Sequence, residues 1–265
     1  MFKGFNLKYP EYEVITPQTK LSFTVRSLNV QEEERLKGSL LTPQKITEHL
    51  NKCLYESLVT KPEVIKDFKT FLENVTLKDR DALLYGLYHI TYEEIRNYDI
   101  KCGNCRKDYP VTVKASSTFN ANPYPEEDDI RKKKILINLP VSKGVKAYLK
   151  QPVLLDEVEA IKNLSAAPGL TIDNIVETLI IDRFEQDVEA AVEPVVWTDR
   201  NDIIDAYRSL PAKDKRSIYE KYNEEFGKYN IELKMKTFCI HCGNEETINI
   251  DLVENFFRMV YSSWG

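Results

Sequence analysis

Four of the five cysteines in this 265-residue chain fall into two Cys-x-x-Cys pairs, Cys102 with Cys105 and Cys239 with Cys242. A two-residue spacer lets a tight turn aim two thiolates at one point. Two such pairs supply the four sulfur ligands of a tetrahedral structural zinc ion. Each pair lies between runs of strand-forming residues. "YDIKC" and "YPVTV" flank the first, "LKMKTFC" and "ETINI" the second. That is the pattern of a zinc-ribbon hairpin, and Gly103 and Gly243 are expected to supply the positive φ such turns need.

Three other uses of the same residues compete. A thioredoxin-type pair sits at a helix N-terminus, which depresses the thiol pKa; here strands follow. Catalytic zinc keeps an open position beside an acid or base. The three histidines, His49, His89 and His241, form no ligand pattern, and His241, lying between two ligands, is expected to point away from the ion. The third is two pairs of reduced thiols without metal. Cys53, in "ITEHLNKCLYESLV", lies on the apolar side of an amphipathic helix and reads as a core residue.

The rest of the chain offers little chemistry. It has no Gly-rich phosphate loop, no His-x-x-x-His pair and no nucleophile elbow. Acidic pairs such as Glu126-Glu127 read as loop charges. No enzyme and no small-molecule substrate are expected. A net charge of -5 and a pI of about 5.5 argue against a surface built to neutralise phosphates. The basic "RKKK" at 131–134 follows the acidic "EEDD" at 126–129, which offsets it. A zinc-ribbon regulator that binds nucleic acid is nevertheless the alternative reading of the cysteines. No apolar run approaches the roughly 20 residues of a membrane span. The opening "MFKGFNLKYPEYEV" lacks the apolar core of a signal peptide, so a reducing cytoplasm, where cysteines serve as ligands or buried thiols, is the expected setting.

The elements that must position the cysteines read as α+β: helical bundle segments with short β-hairpins. Residues 1–30 form an N-terminal β-hairpin in which Leu21, Phe23 and Val25 alternate with polar residues. Residues 31–118 form a first helical unit that ends in a Cys knuckle. Its helices are "NVQEEERLKGSLL", "TPQKITEHLNKCLYESLV" (Thr42 as N-cap, Pro43 at N1), "KPEVIKDFKTFLENV" and "LKDRDALLYGLYHITYEEI". Residues 119–152 form a central strand and loop region with strands at "KKILINLP" and "VKAYLKQPV". Residues 153–265 form a second helical unit: "LLDEVEAIKNL", then "TIDNIVETLIIDRFEQDV" behind a capping Thr171, then "TDRNDIIDAYRSLPAKDKRSIYEKYNEEFG", the second knuckle and an aromatic C-terminus.

The order helix, helix, knuckle occurs twice. Ile65 matches Ile204, Phe68 matches Tyr207 and Asp79 matches Asp214. From that Asp to the first cysteine is 23 residues in one half and 25 in the other. An internal repeat, each copy contributing one knuckle, accounts for the 133 residues between Cys105 and Cys239. Closing so long a loop costs only a few kcal/mol, against about 10 kcal/mol or more from structural zinc. The closing "ENFFRMVYSSWG" gathers Phe256, Phe257, Met259, Tyr261 and Trp264. These either pack back onto the second hairpin or anchor a partner, since aromatic, Met and Arg side chains are enriched at interfaces.

Several segments together resemble the baseplate hub proteins of T4-like contractile-tailed bacteriophages. They are the opening "EVITPQTKLSFTVRSLNVQEEERLK", the knuckles "CGNC" and "CIHCGNEETINIDLVENFF", and "ILINLP" with the helical half behind it. The resemblance covers nearly the whole chain. It implies a non-enzymatic structural or assembly protein of the tail baseplate hub, made in the host cytoplasm and placed in the virion, with other hub and tail proteins as partners. It also implies that Cys102, Cys105, Cys239 and Cys242 are the knuckle residues. The chain departs from the common form at Gly103 and Ile240, where Pro often follows the first cysteine, and at Arg106, where Gly is usual.

Overall fold

A computed structural model describes residues 8–38, 43–92, 95–114, 118–125, 127–164, 172–187 and 193–249. The fold is α+β, with eight α-helices and four small antiparallel sheets among the described residues.

The first half opens with a hairpin of β1 (Glu11–Ile15) and β2 (Ser22–Arg26), in register Val14 opposite Phe23. After α1 (Val30–Gly38) and α2 (Pro43–Glu56), β3 (Leu58–Thr60) returns beside β2. Then come α3 (Phe68–Asn74), α4 (Leu77–Tyr92) and the hairpin of β4 (Ile95–Lys101) and β5 (Asp108–Lys114). Strand β6 (Phe119–Ala121) leads into the second half, where the order recurs. Hairpin β7 (Lys134–Asn138) and β8 (Val145–Lys150) precedes α5 (Leu154–Leu164) and α6 (Ile172–Thr178). Strand β9 (Ile181–Gln186) pairs with β8, and β10 (Val195–Trp197) extends that sheet. Helices α7 (Arg200–Ser209) and α8 (Ala212–Tyr222, continuing as a π-turn over Asn223–Gly227) lead to the hairpin of β11 (Ile231–Phe238) and β12 (Glu245–Asn249).

Alternation builds the first sheet: Val14, Phe23 and Val25 turn inward and are buried. Helix α4 lies across them. Its residues Ala82 to Tyr88 are buried in unbroken succession, so it is a core helix covered on all sides rather than an amphipathic surface one. Gly86 makes the approach possible, because a Cβ there would stand 2.5 Å from a methyl of Val14. A second core gathers Leu149, Ile181, Phe184, Ile218 and Phe226.

The two halves meet through buried polar groups. Gln18 accepts from the Thr76 hydroxyl (2.6 Å) and donates to Gln151 Oε1 and to the carbonyl of Phe226 (3.2 Å each). Tyr222 donates to the same Gln151 oxygen at 3.1 Å. A bridge between Thr76 and Val153 and the ion pair of Arg80 with Glu157 lie alongside.

Three expected helices have different bounds. The segment "TIDNIVETLIIDRFEQDV" ends its helix at Thr178 and becomes β9 at Ile181. Ile181 and Phe184, three apart, mimic helical spacing. Both face the core of the sheet because Asp182 is an extra residue at a bulge: Ile181 pairs with Leu149, and Arg183 with Tyr148. Helix α3 begins only at Phe68, behind the Asp67–Thr70 capping box, and leaves Ile65 buried in the preceding turn. The last of the three, "LKDRDALLYGLYHITYEEI", stops at Tyr92, and Ile95 already belongs to β4. The expected caps Thr42 and Thr171 lie outside the described residues.

Candidate metal centre

The two Cys pairs occupy the turns of the β4–β5 and β11–β12 hairpins, and the turns are built alike. In the first, the Cys102 N–H donates to the Lys107 carbonyl (3.0 Å) and the Arg106 N–H to the Cys102 carbonyl (3.0 Å). In the second, the Cys239 N–H donates to Asn244 (2.9 Å) and the Gly243 N–H to Cys239 (2.8 Å). The residue after the second cysteine closes each turn in the left-handed region: Arg106 at φ +62 and Gly243 at φ +71. The expectation for Gly243 therefore holds, and that for Gly103 does not. Gly103 keeps an ordinary φ, and its N–H donates to the Glu246 carboxylate of the other hairpin. The position that needs glycine's freedom is held in the first knuckle by an arginine.

Folding brings all four sulfurs within 4.8 Å of one another. Cys102 Sγ lies 3.7 Å from Cys242 Sγ, and Cys105 Sγ lies 3.7 Å from Cys239 Sγ. A disulfide needs about 2.05 Å, so these are free thiols. A tetrahedron of sulfurs about 2.3 Å from a central zinc has edges of roughly 3.8 Å, and the cross-hairpin distances fit it. The four cysteines form a cluster that could hold a metal ion.

Beneath the cluster, Tyr109, Val111 and Val113 of β5 alternate inward and pack with Met235 and Ile248. Cys102 and Cys239 are buried against them, Cys105 is half-buried and Cys242 is exposed. The Cys105 N–H points at Cys102 Sγ (3.4 Å) and Asn104 Nδ2 at Cys242 Sγ (3.8 Å), donors that favour charge on sulfur. The main-chain N–H of Asn244, joined by the neighbouring thiols, lowers the Cys242 thiol to about 7. At Cys102 the Cys105 N–H pulls downward, but burial and the adjacent thiols push the group up to about 12. Four thiols this close ionise together only when a cation offsets their mutual repulsion.

The other candidates separate cleanly. His241 turns away from the sulfurs, with Nε2 3.1 Å from the Asp108 carbonyl, and so ties one hairpin to the other. His89 stacks on Tyr85 and meets the Tyr12 ring edge-on. Cys53 is a buried core thiol, pushed up to about 12 by burial with Glu32 adding to it, which makes it a poor nucleophile. Phe256, Phe257, Met259, Tyr261 and Trp264 lie outside the described residues. The roles of Glu246 and Asp108 across the two hairpins had no sequence signal, since each depends on which hairpins face each other.

Among curated proteins and among solved structures, nothing matches the chain. Residues 9–258 match the family described as T4 bacteriophage base plate protein. That span contains both hairpin-and-helix halves and all four clustered cysteines, and it shows that the chain belongs to the T4 bacteriophage base plate protein family.

Proposed function

We propose that this base plate protein is a non-enzymatic part of the central hub, or a factor that assembles the hub, and that its four cysteines hold a structural zinc ion. The observation that carries the reading is the family match over nearly the whole chain. The sulfur geometry supports zinc in particular. Four thiolates at tetrahedral spacing leave no coordination position for a substrate, and soft sulfur donors favour zinc over magnesium or calcium. Zinc bound there supplies a cross-link between the hairpin of each half. The partners on this reading are other hub and tail proteins, and Phe256, Phe257, Met259, Tyr261 and Trp264 form an aromatic anchor for them.

Mass spectrometry of purified virions and of tail assembly intermediates tests the assignment. Presence in virions supports a hub subunit, and presence in intermediates alone supports an assembly factor. Absence from both overturns the proposal. Metal analysis of the purified protein tests the zinc, with one equivalent expected per chain.

A further inference from the structure

The four clustered sulfurs differ in their access to solvent. Cys102 and Cys239 are buried, at 0% and 2% exposed, and Cys105 is half-buried. Of the four, Cys242 is the exposed one. Its Sγ lies 3.7 Å from the Sγ of buried Cys102, which belongs to the hairpin of the other half. A reagent in solvent therefore meets Cys242 from outside, while a second sulfur backs it from within. An accessible sulfur of this kind meets an oxidant first, and a neighbouring thiol then converts the product to a disulfide.

Distance selects the partner. A disulfide brings two sulfurs to about 2.05 Å, so the Cys102–Cys242 approach has to shorten by roughly 1.6 Å. Cys105 and Cys239 stand opposite each other at the same 3.7 Å, so both of these contacts cross from one hairpin to the other. Only the Cys102–Cys242 contact includes an exposed sulfur. It is the one that oxidation reaches first.

We propose that Cys242 is a site of oxidation by peroxide, resolved by Cys102, and that the resulting disulfide ties the two halves together covalently. The Cys242 thiolate attacks one oxygen of hydrogen peroxide, the O–O bond breaks, hydroxide leaves and a sulfenic acid forms on Cys242. The Cys102 thiolate then attacks that sulfur, the S–O bond breaks and a second hydroxide leaves as the S–S bond forms. The protons of the two thiols turn both hydroxides into water. The sulfurs lose two electrons and the peroxide gains them. Reaction at Cys242 also takes one ligand from the cluster, so an ion held there leaves while the cross-link between the hairpins is kept. Such a disulfide persists outside a reducing cytoplasm. Its use in the virion rests on the place proposed for the protein above, whereas its chemistry rests on the sulfur geometry.

The test treats the purified full chain with hydrogen peroxide, with and without the sulfenic-acid trap dimedone, and maps the products by non-reducing peptide mass spectrometry. Dimedone is expected to label Cys242 at least tenfold more than Cys102 or Cys239. Without dimedone, the first disulfide is expected to join Cys102 to Cys242. Cys105→Ser is expected to form the same bond, and Cys102→Ser to leave Cys242 as the dimedone-reactive sulfenic acid. Zinc measured in the same samples is expected to leave in step with the bond. Protein purified without zinc overturns the metal reading alone, and the same disulfide is expected in it. No disulfide after peroxide, a first disulfide between any other pair, or equal labelling of buried and exposed cysteines overturns the proposal.

Discussion

Asp79 and Asp214 do the same work in the two halves. Each is fully buried in the first turn of a helix, α4 or α8, and each holds the turn of a β-hairpin. Asp79 accepts from the main-chain N–H groups of Gln18 (2.8 Å) and Thr19 (3.2 Å) and from the Thr19 hydroxyl (2.6 Å). Asp214 accepts from the N–H groups of Val141 (2.8 Å) and Ser142 (2.9 Å) and from the Ser142 hydroxyl (2.7 Å). Two N–H groups and one hydroxyl meet each carboxylate, yet the shifts are opposite. Burial dominates at Asp79 and raises its carboxyl to about 6. At Asp214 burial is outweighed by the Ser142 hydroxyl and the two N–H groups, and the carboxyl is lowered.

The pair predicts a difference in pH dependence. Because the Asp79 pKa is higher in the folded state, its contribution to stability is present below about pH 4 and is lost as pH rises through about 6. The loss amounts to roughly 2–3 kcal/mol. Asp214 has the opposite sign: its contribution is present above the ordinary carboxylate range and is lost as pH falls through its depressed value. Urea denaturation at pH 4, 5, 6 and 7 checks this. The stability of the original protein relative to Asp79→Asn is expected to fall by roughly 2–3 kcal/mol as pH rises through this window, and a difference that does not change with pH would show that the Asp79 shift is absent. Asp214→Asn should show no such trend there.

Removing one of the four clustered sulfurs should loosen both knuckles at once. Cys239→Ser is expected to lower the Tm by about 10 °C or more, as each kcal/mol is worth about 2–4 °C in a chain of this size. A chelator should lower the Tm of the original protein similarly and have no further effect on the variant. Equal melting temperatures for the original protein, the variant and the chelated protein would rule out structural metal.

Arg106 and Gly243 occupy equivalent left-handed positions, so exchanging residue type should have opposite effects. Arg106→Gly relieves backbone strain and is expected to stabilise by up to about 1 kcal/mol. Gly243→Ala is expected to destabilise by about 1 kcal/mol, all of it backbone strain, because among the described residues a Cβ there meets nothing within 4 Å. Urea midpoints at fixed metal concentration measure both.

Gly86→Ala should be destabilising although alanine is the better helix former by about 1 kcal/mol. The new methyl collides with Val14 across the helix–sheet contact, and overpacking of this kind costs about 1–3 kcal/mol. Adding Val14→Ala should restore part of the loss. Equal thermal stability of Gly86→Ala and the original protein would refute the close approach.

The knuckles, the N-terminal hairpin and most helices are legible because each rests on local spacing: two residues between cysteines, alternation at Leu21, Phe23 and Val25, and apolar residues at helical intervals. Strand β9 was not, since its bulge at Asp182 sets Ile181 and Phe184 three apart and imitates a helix. Strands β6 and β10 have three residues each and are defined by their neighbours rather than by their own pattern. The kinship of the two hairpin turns was also hidden. Pro17-Gln18-Thr19 and Pro140-Val141-Ser142 share only a proline and a hydroxyl, and what unites them is the aspartate each one meets.

The pairing of Cys102 with Cys242 and of Cys105 with Cys239 runs across the hairpins rather than within them. With an ion in place, the backbone between the knuckles becomes a closed ring. A protease cut anywhere along that ring would open a loop without releasing a fragment, and only withdrawal of the ion would let the cut pieces depend on packing alone.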